Sequence, residues 1–132
     1  MPFEVPESVY YRIIEHCRSC LPFEGCGLLA GTAGRVSVFY PMVNTEQSSS
    51  RFLMDPAEQF QVMRSMRESG MEMLGICHSH PDGPPYPSET DIRLAVYEDA
   101  VTLIVSFAGG GITVRAFRIA AGTVTAVPLR RS

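Results

Sequence analysis

A chain of 132 residues is the size of one small domain, and at 45% hydrophobic it can fill a core and is too apolar for a disordered chain. The net charge is −3 and the 11 basic residues form no stripe, so nucleic acid is not an expected partner. No apolar run reaches bilayer length and no secretory pattern opens the chain; with only four cysteines, a cytoplasmic location is the simplest expectation.

Pro6 to about Leu21 is expected to be a helix, with Val9, Ile13 and Cys17 at i, i+4 and i+8 and Pro22 as the stop. Glu24 to Ala30 is a short apolar run ended by the turn Gly31-Thr32-Ala33-Gly34. Arg35 to Met42 alternates, and the two runs predict a β-hairpin. Asn44 to Ser50 reads as an exposed loop and Arg51 to Met54 as a brief strand. Asp55 is placed to N-cap a helix with Pro56 at its first position. That helix runs to about Ser69, with Phe60, Met63 and Met66 on one face, and Gly70 ends it.

Glu72 to His80 reads as a buried strand, and Pro81 to Pro87, with four prolines, as a constrained loop. Ser88 to about Glu98 is expected to be a third helix, with Ile92, Ala95 and Val96 inward. Ala100 to Phe107, Ile112 to Ile119 and Thr123 to Leu129 are expected strands, separated by Gly109-Gly110-Gly111 and Ala121-Gly122. No repeat, linker or second domain is visible, so residues 1–132 are read as one domain: an α/β sandwich with a mixed, mostly antiparallel sheet and helices against it.

The chemistry concentrates at His78-Ser79-His80. Side chains at i and i+2 of a strand share a face about 6.6–6.8 Å apart, which lets two imidazoles converge on one cation. Asp91 follows a short loop later. Two histidines and one aspartate leave a fourth position open, the mark of a catalytic rather than a structural zinc. A capping box from Ser88 to Asp91 is the competing role for that carboxylate, and Glu89 is then the alternative ligand. Glu24, at the mouth of an apolar run, is either a solvated strand end or, if near the metal, an acid–base group. His16 reads as an ordinary, partly exposed helix residue. Cys17-Arg18-Ser19-Cys20 is a lone C-x-x-C. Cys77 alternates away from the histidines, while Cys26 shares parity with Glu24 and could approach the site.

These residues together resemble the JAMM (MPN-plus) metalloprotease family. That family's pattern is a distant glutamate, His-Ser/Thr-His, seven residues, Ser, two residues and Asp. Here it is met by Glu24, His78-Ser79-His80, Pro81 to Pro87, Ser88 and Asp91. The segment Phe23-Glu24-Gly25-Cys26-Gly27-Leu28-Leu29-Ala30-Gly31 also resembles the surroundings of the family's glutamate.

The resemblance implies a cytidine-deaminase-like three-layer sandwich. It implies zinc held by His78, His80 and Asp91, with Glu24 as general base and proton shuttle and Ser88 as donor to the oxyanion. It implies hydrolysis of an amide or isopeptide bond after the tail of a ubiquitin-like protein. The short chain is similar to the compact prokaryotic members, several of them associated with ubiquitin-fold sulfur carrier proteins ending in Gly-Gly. The rival readings are a metallopeptidase acting on small or cell-wall-like peptides and a non-catalytic MPN-type scaffold. Oligomeric state is not legible in the sequence.

Overall fold

A computed structural model describes residues 2–132. The chain opens with a short strand that the sequence does not announce, β1 (Phe3–Val5), because three residues are too few to show alternation. Helix α1 (Glu7–Cys20) follows and buries Val9, Ile13, Ile14 and Cys17, the expected stripe widened by one residue. Strands β2 (Cys26–Thr32) and β3 (Arg35–Met42) form the expected antiparallel hairpin. β2 starts two residues later than expected, which leaves Glu24 in the connection before it.

The segment Arg51 to Met54 is not a strand; it makes one isolated bridge, Asn44 to Met54. The Asn44 side chain takes the place of a ladder, donating to the Arg51 carbonyl at 3.1 Å and accepting from the Leu53 N–H at 3.1 Å. Asn44 is buried, while the rest of the loop to Ser50 is exposed or partly exposed, as expected. Helix α2 (Pro56–Glu68) has the expected cap, with Asp55 accepting from the Ala57 N–H. Met66 is buried and Met63 packs beside it as expected, but Phe60 is 63% exposed and Val62 packs in its stead.

Strand β4 (Glu72–His80) has the expected bounds. Helix α3 (Glu89–Leu94) stops four residues short of expectation, and Val96 is 75% exposed rather than inward. Glu98 and Asp99 are drawn away from the helical path: Glu98 Oε2 accepts from the Ala121 N–H at 2.8 Å, and the Asp99 carbonyl accepts from Arg118 at 3.0 Å. β5 (Val101–Ser106) and β6 (Thr113–Ala120) follow, joined through a 3-10 turn in which Gly109 and Gly110 take positive φ.

The last expected strand is two, β7 (Thr123–Val127) and β8 (Leu129–Arg131), split by Pro128. Proline has no N–H to continue a ladder, so the chain changes partners there. The strand order is β7-β6-β5-β4-β2-β3-β1-β8, with β4–β5, β1–β3 and β1–β8 parallel and the other pairs antiparallel. Because β7 and β8 lie at opposite ends of that order yet only Pro128 separates them, the sheet curls until its edges adjoin. The curl encloses α1 over a core that includes Val5, Ile13, Leu29, Phe39, Leu103 and Val105. The other face carries α2 over Leu28, Ala30, Met42 and Ile76. Helices on both faces of a mixed sheet give the expected three layers.

Candidate metal centre and active site

Strand β4 sets the geometry by alternation. His78 and His80 project from the face that carries Ile76, while Cys77 and Ser79 project towards α1. β4 is paired on both sides, His78 opposite Cys26 of β2 and Ile104 of β5, so the backbone beneath the histidines is rigid. His78 is 2% exposed and stacks on Phe52 with ring centroids 4.7 Å apart. The loop after β4 is tied down by Ser106, whose hydroxyl donates to the Gly83 carbonyl. It presents the Pro84 carbonyl to His80 Nδ1 at 2.8 Å. A carbonyl only accepts, so Nδ1 carries the proton and Nε2 faces the site.

Asp91 arrives on the first turn of α3. The capping box is formed, and the oxygen that makes it also faces both histidines. Asp91 Oδ2 accepts from the Ser88 N–H at 2.8 Å and lies 3.0 Å from His80 Nε2 and 3.7 Å from His78 Nε2. The Ser88 hydroxyl accepts in turn from the Asp91 N–H at 3.0 Å, completing the capping box. Glu89 is exposed and lies outside this cluster, so the structure does not support it as the alternative ligand.

Glu24 is 2% exposed, not a solvated strand end. Its backbone is held on both sides: its N–H donates to the Ser48 carbonyl at 2.8 Å, and its carbonyl accepts from Asn44 Nδ2 at 3.0 Å. The next residue, Gly25, donates to Ser79 Oγ at 2.8 Å. A side chain at Gly25 would press on α1, its Cβ meeting the Cys17 backbone at 3.0 Å and Cys20 Sγ at 3.2 Å. Glu24 Oε1 ends 3.6 Å from His78 Nδ1. Asn44, Ser48, Phe52, Ser79 and Pro84 thus support the site without standing out in the sequence. The one legible signal among them is Ser79, a hydroxyl inside an apolar strand that needs a partner.

The electrostatics fit a divalent cation. His78, His80 and Asp91 each offer a ligand atom, all within 4.8 Å of one another. Burial pulls the His80 pKa down, but the Asp91 bond, the Pro84 carbonyl and the Asp91 charge outweigh it and raise the value overall. Asp91 is likewise opposed by burial, and its bond to His80, the nearby His78 and the Ser88 N–H bring its pKa down to about 2. His80 Nε2 facing that carboxylate must hold either a second proton or a cation in its place. Among the described residues, Glu24 Oε1 and His78 Nδ1 are buried without a hydrogen-bond partner. Such atoms are costly unless a group bound in the site satisfies them.

The chain matches the family described as prokaryotic homologs of the JAB domain over residues 6–120. It belongs to the prokaryotic JAB/JAMM metalloprotease family. By that membership it is a hydrolytic metalloprotease. It is 37% identical over 120 residues to the CysO-cysteine peptidase of Mycobacterium tuberculosis, covering 89% of this chain and 82% of that protein. It is 34% identical over 92 residues to a probable TtuB-protein conjugate cleaving protease of Thermus thermophilus, covering 69% and 62%. A solved structure of a Desulfitobacterium hafniense protein superposes with a TM-score of 0.87 at 34% identity, covering 98% of this chain and 92% of that one.

The remaining candidates lie outside the JAMM cluster. Cys77 faces away from the histidines as expected and packs in the same core cluster as Cys17 of α1. Cys26 lies on the histidine face, but its thiol points to the Met42 carbonyl, and burial foremost pushes its pKa up to about 12. It is a neutral packing group. His16 is partly exposed as expected, with Nε2–H donating to the Cys26 carbonyl at 3.0 Å.

Proposed function

We propose that this metalloprotease is zinc-dependent and hydrolyses the amide bond after the C-terminal Gly-Gly tail of a ubiquitin-like or sulfur carrier protein. The observation that carries the reading is the convergence of His78, His80 and Asp91 beside Glu24, whose buried Oε1 makes no hydrogen bond among the described residues. The substrate class is supported by relatives named for cleaving CysO–cysteine and TtuB conjugates.

Zinc held by His78, His80 and Asp91 would polarise the amide carbonyl and lower the pKa of water towards about 7. Glu24 takes a proton from the attacking water and delivers it to the leaving amine. Its carboxylate is aimed by the backbone bonds to Ser48, Asn44 and Ser79 on either side of it. Ser88 uses its oxygen as an acceptor in the helix cap, which leaves its O–H to donate to the oxyanion. Such a donor is worth roughly 3–4 kcal/mol.

The test compares four substrates at equal enzyme: a carrier–cysteine adduct, its Gly→Val tail variants, linked ubiquitin chains and unrelated peptides. The adduct should be cleaved fastest, and bulking the tail should cost more than changing the leaving amine. Equal cleavage of unrelated peptides would replace this reading with that of a small-peptide metallopeptidase. Absence of any hydrolysis by zinc-loaded protein would favour the scaffold.

A further inference from the structure

An apolar groove of about 280 Å³ adjoins the candidate metal cluster: His78 and Asp91 belong to its lining, together with Ile76, Thr102 and Ile119 of three adjacent strands. One wall is Phe52 to Met54 with the start of α2; the other is α3 and the segment 95–97 that follows it. The walls are not independent. Gln59 Nε2 on α2 donates to Tyr97 Oη at 3.2 Å, joining one side to the other. The segment 95–99 is also anchored behind, through Glu98 to the Ala121 N–H and through the Asp99 carbonyl to Arg118. It is a strap held in front through Tyr97 and behind through Glu98 and Asp99.

We propose that the Gln59–Tyr97 bond closes this strap over the groove and makes it a filter on the size of the leaving group. The inference rests on the proposed function, since it takes the groove as the path of the carrier tail. A tail ending in a single amino acid has a free, narrow end and can be threaded under a closed strap. A tail joined to a lysine of a folded protein is blocked at both ends, by the carrier and by the protein. It can reach the metal only when the strap lifts. The groove is continuous with the ligand cluster, which makes the tail, and not an unrelated partner, its occupant. The strap therefore favours carriers bearing small adducts over carrier–protein conjugates.

Tyr97→Phe removes only the hydroxyl and keeps the apolar ring, so the wall survives while the latch is lost. Binding is measured in the Glu24→Gln background, so that conjugates stay intact and the result does not depend on hydrolysis. Two ligands are compared by calorimetry: the carrier with a single amide-linked cysteine, and the same carrier joined to a lysine of a folded protein. Tyr97→Phe and Gln59→Ala should each raise the affinity for the protein conjugate relative to the small adduct about fivefold, or about 1 kcal/mol at 1.4 kcal/mol per tenfold. A disulfide between cysteines placed at 59 and 97 should abolish binding of the protein conjugate and spare the small adduct, with binding restored on reduction. An unchanged ratio, or loss of both ligands in the locked form, would overturn the strap. Failure of the proposed function reads out separately, as absence of hydrolysis by the zinc-loaded wild-type chain.

Discussion

Ser79 and Gly25 hold each other by two bonds: the Gly25 N–H donates to Ser79 Oγ at 2.8 Å, and the Ser79 N–H donates to the Gly25 carbonyl at 3.0 Å. The middle residue of the histidine pair thus fixes the backbone one residue from Glu24. The strand that carries His78 and His80 also sets the position of Glu24, the proposed acid–base group.

Ser79→Ala should test that tie. It leaves the buried Gly25 N–H without an acceptor, at a cost of about 1–3 kcal/mol in urea unfolding. Zinc content should be kept, because no ligand is touched, while kcat of the folded fraction falls at least tenfold. A stability loss with full kcat would mean that the bond holds the fold and does not aim Glu24.

Metal-replete protein is expected to carry one zinc per chain by elemental analysis, and His80→Ala to lose it. His80 supplies the ligand nitrogen nearest Asp91 and the contact to the Pro84 carbonyl. Zinc retained at one per chain in the variant would remove His80 from the ligand set.

Glu24→Gln should fold and bind zinc yet lose about 10²–10⁴-fold in turnover, since an amide cannot take the proton from water. Ser88→Ala should slow cleavage as well and cost about 0.5–2 kcal/mol of stability through the lost cap. Wild-type rates in Glu24→Gln, with cleavage still abolished by chelator, would exclude Glu24 from proton transfer.

The pH dependence of the metal-free protein follows from two opposite shifts. The pKa of Asp91 is lowered from 3.8 to about 2, so its contribution to stability is present above the unfolded value and lost as pH falls through about 2. The His80 pKa is raised, so its contribution is full below the ordinary histidine value of about 6.5 and lost as pH rises through the raised one. Metal-free stability should therefore peak between about pH 4 and 6.5. Zinc must displace the second proton of His80, so binding at pH 6 should release a proton, and less at higher pH. Calorimetry in buffers of different ionisation enthalpy reads this directly; proton uptake at pH 6 would contradict the His80–Asp91 pairing.

Much of the fold is visible in local pattern. Alternation marks β3, the apolar run marks β4 to the residue, and Asp55-Pro56 marks the start of α2, because caps and side-chain period act over a few residues. β1 is missed because three residues show no period and the β7–β8 break is set by Pro128, but two further misses are cases where a distant partner overrides local preference. α3 ends at Leu94 because Glu98 and Asp99 are claimed by the β6–β7 region, and the 51–54 segment is held by one asparagine side chain instead of a neighbouring strand.

The site divides along the same line. The spacing of His78, His80, Ser88 and Asp91 is a property of the sequence, since one strand, one short loop and one helix turn bring them together. Only the tertiary structure decides that Glu24, 54 residues before His78, reaches the same place: β2 must pair with β4, and Ser79 must find Gly25. It also decides that Asp91 Oδ2 caps its helix and faces both histidines at once, and that Tyr97 meets Gln59 across the groove. Local sequence encodes period and caps; which buried polar group meets which depends on how the curled sheet folds distant segments together.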